Sequence, residues 1–286
     1  MIRYDKNSLK AEEFINDGEI LDSLKFADEN KNNLELVDKI IEKARLKKGI
    51  NHREASVLLA CEDKERIEEI YNLARQIKKD FYGDRIVMFA PLYLSNYCVN
   101  GCVYCPYHAK NKHICRKKLT QDEVRKEVIA LQDMGHKRLA IEAGEDPVNN
   151  PIEYILDCIK TIYSVNHKNG AIRRVNVNIA ATTVENYKKL KEAGIGTYIL
   201  FQETYNKKSY EQLHPQVPST TTITTQRQWT EPCRAVLMMW ESVCFSGLSS
   251  TAMNLQDFLC TQNILRLFTV SVRTQSAFPE SRRQTI

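Results

Sequence analysis

Ile86-Val-Met-Phe-Ala-Pro-Leu-Tyr-Leu94, followed by Ser-Asn-Tyr-Cys98-Val-Asn-Gly-Cys102-Val-Tyr-Cys105, is the stretch on which the fold turns. This short apolar run, with the cysteine loop following it, reads as a β-strand. The loop after it carries three thiols. In barrels built of alternating strands and helices, chemistry sits at the C-terminal ends of the strands, where these cysteines fall. Three thiolates in one tight loop can each take a different iron of a cubane cluster, and nothing nearby offers a fourth cysteine at ferredoxin spacing, so one iron would stay open. The competing reading is a structural zinc ion held by the same cysteines with His108 or His113, although zinc knuckles pair two short Cys spacings.

Downstream of this stretch, short apolar runs alternate with amphipathic helices. Thr120-Gln-Asp-Glu123 is a capping box that opens a helix running to Met134, and Gly135 ends it. Strands are expected at Arg138–Glu142, Arg173–Ile179 and Gly196–Phe201, with helices at Pro151–Val165 and Val184–Ala193. Four βα units in a row predict an α/β fold, half of a (β/α)₈ barrel of the TIM type. Upstream, from Ser8 to about Lys79, apolar residues recur at three-and-four spacing, as in Leu34-Val37-Ile40-Ile41, so several helices precede the barrel. Asn51-His-Arg-Glu54 has the form of an N-cap with an acid three positions on. The expected division is a helical region over 1–82, a half barrel over 83–215, and a remainder over 216–286.

The 286 residues carry 41 basic and 36 acidic side chains that alternate in sign along the chain. That is a solvated surface and not a nucleic-acid stripe. No run of about 18 apolar residues occurs and the N-terminus lacks an apolar h-region, so a cytoplasmic protein without a membrane span is expected. Nine unevenly spaced cysteines do not form a secreted disulfide framework in a chain of this length. Cys61 and Cys158 fall on apolar helix faces and read as core residues. Asp146-Pro147 reads as a turn.

The triplet with Tyr104 just before its last cysteine resembles the signature of the radical S-adenosylmethionine (SAM) superfamily. The stretch from Leu92 through Cys105-Pro-Tyr-His-Ala-Lys-Asn-Lys112 is similar, more narrowly, to the tyrosine lyases that mature the [FeFe]-hydrogenase active site. Their close relatives are the 2-iminoacetate synthases of thiamine biosynthesis, which usually carry Gly-Phe where this chain has Pro106-Tyr107. The resemblance implies a [4Fe-4S] cluster on Cys98, Cys102 and Cys105, whose open iron chelates the amino and carboxylate groups of SAM. It implies that Glu145 and the backbone at Gly144, in Ala143-Gly-Glu145, bind the SAM amino group; an alanine stands where the family has its first glycine. Tyr104 matches the aromatic residue that packs near the adenine, and Glu203, in Gln202-Glu-Thr-Tyr205, matches a glutamate near SAM. Asn178 is a cavity-facing candidate by position only. The implied reaction is cleavage of the Cα–Cβ bond of L-tyrosine to p-cresol and dehydroglycine, from which a second cluster makes carbon monoxide and cyanide. The implied partners are a low-potential electron donor such as ferredoxin or flavodoxin and other hydrogenase maturation proteins. The rival activities are 2-iminoacetate synthesis and, in another class, a non-catalytic fragment or zinc-binding module.

After His214-Pro215 the composition breaks: the remaining stretch contains no lysine or tyrosine and holds both tryptophans, Trp229 and Trp240. Read one base earlier in each codon, Met239 must encode Asp, Trp240 Val and Glu241 Gly, and the permitted shifted reading resembles the next barrel segments of the family. The expectation is a chain truncated by a lost base near codon 215, with 216–286 out of frame and without evolved structure. The sheet would then stop at its fourth strand, leaving an unpaired edge.

Overall fold

The computed structural model describes residues 17–47, 49–168, 170–201, 207–215 and 240–243. The chain divides near Ile86 into two units. The first contains four helices: α1 (Asp17–Asn30), α2 (Leu34–Arg45), α3 (His52–Ala60) and α4 (Lys64–Tyr82). Three of them open on a side-chain cap, with Asn33, Asn51 and Asp63 accepting from the backbone N–H of Leu36, Glu54 and Arg66. Each such cap satisfies a donor that the helix itself leaves orphaned. At Asn51 the bond is returned by the Glu54 carboxylate, which accepts from the Asn51 N–H at 2.7 Å and completes the capping box. Val37, Ile40 and Ile41 of α2 pack with Ala27 of α1 and with Val57 and Cys61, the last a buried core thiol.

The second unit begins at Val87. It contains β1 (Ala90–Ser95), α5 (Gln121–Asp133), β2 (Arg138–Ala143), α6 (Ile152–Ser164), β3 (Asn166–His167), β4 (Gly170–Ala171), β5 (Arg174–Asn178), α7 (Val184–Glu192), β6 (Tyr198–Phe201), α8 (Lys207–Leu213) and β7 (Trp240–Val243). The main sheet runs β1-β2-β5-β6-β7 and every pair in it is parallel. Parallel neighbours need a crossover, and α5, α6 and α7 supply the first three. This is the alternating half barrel that the spacing of apolar runs predicts.

One face of the sheet is apolar. Leu92, Leu94, Leu139, Ile141, Val175 and Val177 are buried, as are Val124 and Val128 of α5 and Ile155, Ile159 and Ile162 of α6. Each fully buried aliphatic side chain contributes about 1.5–3 kcal/mol. Near the far end Tyr187 of α7 meets Tyr198 of β6 edge to face at 4.8 Å, and the Tyr198 hydroxyl lies on the Ile179 and Ala180 carbonyls. Because successive side chains alternate, the intervening residues occupy the opposite face, and apart from the buried Ala140 they are polar or half-exposed: Tyr93, Glu142, Arg174, Asn176 and Asn178. A parallel sheet packed on both sides would be apolar on both. This one has a core wall and a cavity wall.

Two expectations need correction, and one element was not foreseen. The first strand starts at Ala90 and not at Ile86, because pairing with β2 starts at Ala90↔Leu139. Ile86–Phe89 are exposed. A two-stranded antiparallel hairpin, β3 with β4, lies between α6 and β5 and is too short to announce itself by alternation. The sheet does not stop at a fourth strand either: Trp240–Val243 pairs with Tyr198–Phe201. An open parallel edge presents unpaired N–H and C=O groups, and pairing with this segment satisfies them. Apart from these four residues, 216–286 and the expected frame break lie outside the described residues. Among the described residues no helix is long and apolar enough to cross a membrane.

Candidate cluster and cofactor site

The loop from Asn96 to Lys118 leaves the C-terminal end of β1 and returns to it through a bridge between Ser95 and Lys118. Cys98, Cys102 and Cys105 are partly buried within it, whereas Cys115 is exposed. Regular structure does not hold this loop; a single guanidinium gathers it instead. Arg116 donates through Nη1 to the carbonyls of Asn96 (2.5 Å) and Tyr107 (2.8 Å), and through Nη2 to those of His108 (2.8 Å) and Asn111 (3.3 Å). The two flanks of the cysteine triplet are thereby tied to one planar group, whose fork of donors suits it to the task. Asn96 pins the base of the loop, donating to the Cys115 carbonyl and accepting from Lys117 N–H.

A second anchor comes from far along the chain. Val103 N–H donates to the Leu213 carbonyl at 3.0 Å, and the Tyr104 hydroxyl meets Nε2 of the buried His214 at 2.7 Å, with the two rings edge to face. Tyr104, read from sequence as a cofactor-side aromatic, is thus also tied to the end of α8.

The end of β2 approaches the same loop closely. A Cβ on Gly144 would lie 2.3 Å from the Tyr97 carbonyl oxygen and 2.9 Å from Cys98 Cβ, so only glycine fits. The next residue, Glu145, accepts from Asn100 Nδ2 at 2.7 Å, while its carbonyl accepts from Val99 N–H. Gly144, Glu145 and Cys98 therefore form one surface although they come from two strand ends. Beside them is a cavity of about 350 Å³ lined by Gly144, Glu145, Asn150, Ile179, Ala180 and Thr182, among others. Asn150 donates to the Tyr97 and Gly144 carbonyls, yet its Oδ1 is buried without a partner among the described residues, and so is Oδ1 of Asn100. Buried acceptors left open are costly unless a ligand donor or water meets them.

Burial raises the Cys98 thiol above its ordinary pKa, despite N–H bonds from Asn100 and Glu145 that pull the other way. Binding iron must then displace a proton. Among the described residues no three His, Cys, Asp or Glu side chains converge where one metal ion could sit. A cubane takes each thiolate on a separate iron. The donor set, the glycine cradle and the orphaned amide oxygens fit a [4Fe-4S] cluster with SAM beside it. Asp146 forms the expected turn, accepting from Val148 and Asn149 N–H. Glu203 lies outside the described residues. Arg116, Asn100, Asn150 and His214 were not foreseen; none belongs to a spacing pattern, and only the folded loop reveals them.

A parallel half barrel whose first strand ends in this cysteine loop defines a class, and residues 92–224 match the radical SAM superfamily. The cofactors of that superfamily are a [4Fe-4S] cluster and SAM. It is similar to the crystal structure of HydG, a maturase of the [FeFe]-hydrogenase, at 52% identity and a TM-score of 0.86, over 89% of this chain and 55% of that one. It is 30% identical to 3-methylornithine synthase of Methanosarcina acetivorans, over 54% of this chain and 43% of the relative. It is 27% identical to 2-iminoacetate synthase of Salmonella typhimurium, over 61% of this chain and 44% of the relative. The chain thus spans about half the length of the curated relatives it matches.

Proposed function

We propose that this chain is the radical SAM part of a carbon–carbon lyase that cleaves L-tyrosine to p-cresol and dehydroglycine for [FeFe]-hydrogenase maturation. The observation that carries the reading is the 52% identity to a hydrogenase maturase over 89% of the chain, with the cysteine loop at the end of β1. Cys98, Cys102 and Cys105 would hold the cluster as thiolates. Gly144 lets the end of β2 reach the loop, so that Glu145, oriented by Asn100, can accept from the amino group of SAM through a charge-assisted hydrogen bond. Tyr104, fixed by His214, walls the adenine side. When bound, cluster and SAM together supply the radical that takes a hydrogen atom from the substrate. The chain's own residues orient both molecules and keep water out. A low-potential donor such as ferredoxin or flavodoxin supplies the electron, and other maturation proteins receive the products.

The test is anaerobic reconstitution of the full chain with iron and sulfide, followed by SAM, reductant and L-tyrosine. Formation of p-cresol in step with 5′-deoxyadenosine is expected. Preferential loading of zinc, or SAM cleavage that L-tyrosine never couples to p-cresol, overturns the reading. The likeness to 2-iminoacetate synthase supports a second reading, the same cleavage delivering dehydroglycine to thiazole assembly. Complementation of a thiamine auxotroph lacking its own synthase separates the two.

A further inference from the structure

Beside the cofactor cavity, the polar wall of the sheet carries an arrangement that neither cluster nor SAM binding uses. Tyr93 of β1, Glu142 of β2 and Asn178 of β5 lie in one register across three adjacent strands, two residues or fewer from their C-terminal ends. Their neighbours Leu92, Ile141 and Val177 are buried on the other face, so these three share the face turned from the helices. Neither Glu142 nor Asn178 lines the cavity beside Gly144 and Glu145.

Glu142 is half-buried and accepts a short hydrogen bond from Asn178 Nδ2. Its other oxygen has no hydrogen-bond partner among the described residues, and none of the described lysines, arginines or histidines pairs with it. Burial pushes the Glu142 carboxyl up from its ordinary 4.5 to about 7, against the pull of Asn178. A carboxylate kept from water without a cation is costly. The C-terminal strand ends of such a barrel are where a ligand recovers that cost.

We propose that Glu142, oriented by Asn178, is the subsite that takes the α-ammonium group of the amino-acid substrate. This assignment rests on the proposed tyrosine cleavage for the class of substrate, and it gives recognition of the substrate's positive end to a carboxylate separate from Glu145, which serves SAM. Asn178 is a positioning residue: it occupies one carboxylate oxygen and turns the other toward the ligand.

The experiment measures binding to reconstituted protein with SAM by titration calorimetry, using L-tyrosine and its des-amino analogue 3-(4-hydroxyphenyl)propanoate. The wild type is expected to bind L-tyrosine about 10- to 100-fold more tightly, the range of a hydrogen bond to a charged group. Glu142→Gln is expected to erase that preference while leaving affinity for the analogue and for SAM unchanged, and Glu142→Asp to keep part of it. A wild type that binds both compounds equally overturns the subsite without any variant. A Glu142→Gln protein that keeps the full preference, or loses SAM affinity instead, also overturns it and leaves tyrosine cleavage standing. Should the wild type bind no L-tyrosine while forming its cluster, the tyrosine reading falls, and the assignment of Glu142 to its ammonium falls with it.

Discussion

The N-terminal helices and the loop after β1 are held in opposite ways. In the helices, each local choice agrees with its neighbours: Asn33, Asn51 and Asp63 cap three of them, and Val37, Ile40, Ile41 and Val57 fall on the faces that meet. Ion pairs such as Arg53–Glu19 and Arg66–Asp38 join helix to helix on the surface, where they are worth little individually. The loop has no ladder and no apolar face. Its backbone carbonyls are met by Arg116, its ends by Asn96, and its middle by the end of α8. Where secondary structure supplies the partners, single changes are absorbed; where one side chain supplies four, they are not.

The difference between the two regions can be broken at its strong end. Replacing Cys102→Ser is expected to abolish stable cluster binding, read as loss of nearly all reconstituted iron and of SAM cleavage, since one of the three thiolates proposed to hold the cluster is removed. Unchanged iron content would end the cluster assignment. Gly144→Ala comes next, because a Cβ 2.3 Å from a backbone oxygen forces the loop or the strand to move. A cost of about 1–3 kcal/mol in thermal unfolding is expected, with SAM affinity falling more than iron content. Arg116→Ala should lower stability by about 2 kcal/mol and speed iron loss to a chelator, and Arg116→Lys should rescue little because a point donor cannot serve four carbonyls. A lysine variant with wild-type retention would show that the fork is dispensable. The smallest effect belongs to the helices: Asn51→Ala should cost about 1 kcal/mol, seen as a modest drop in melting temperature with iron retention unaltered. If the cap variant released iron as readily as the Arg116 variant, the contrast between the regions would be lost.

Much of the fold was legible because its signals are local. Thr120 and Glu123 announce a helix start three residues apart, and the folded chain closes that capping box. The strands at Arg138, Arg174 and Tyr198 begin within two residues of their expected starts, since buried strands are short apolar runs between turn signals. The first strand was overextended because Ile86–Phe89 are as apolar as the strand they precede, and apolarity does not say where a neighbour begins to pair. In the site, the cysteine triplet was plain from spacing, and Asn178 could be placed only as cavity-facing. Its bond to Glu142 spans 36 residues and that of Tyr104 to His214 spans 110, separations at which no sequence pattern operates.

By itself, then, the order of residues determined the alternation of strands and helices, the helix starts, and a loop with three thiols at a strand end. These depend on periodicity and on side chains reaching their own backbone. The tertiary structure alone decided that Gly144 meets Cys98, that Arg116 gathers the carbonyls of the loop, and that Glu142 stands level with Asn178 and Tyr93. The first and last of those meetings depend on the register of parallel strands, which is set by how the crossover helices pack against the sheet, and the second on how the loop folds back on itself.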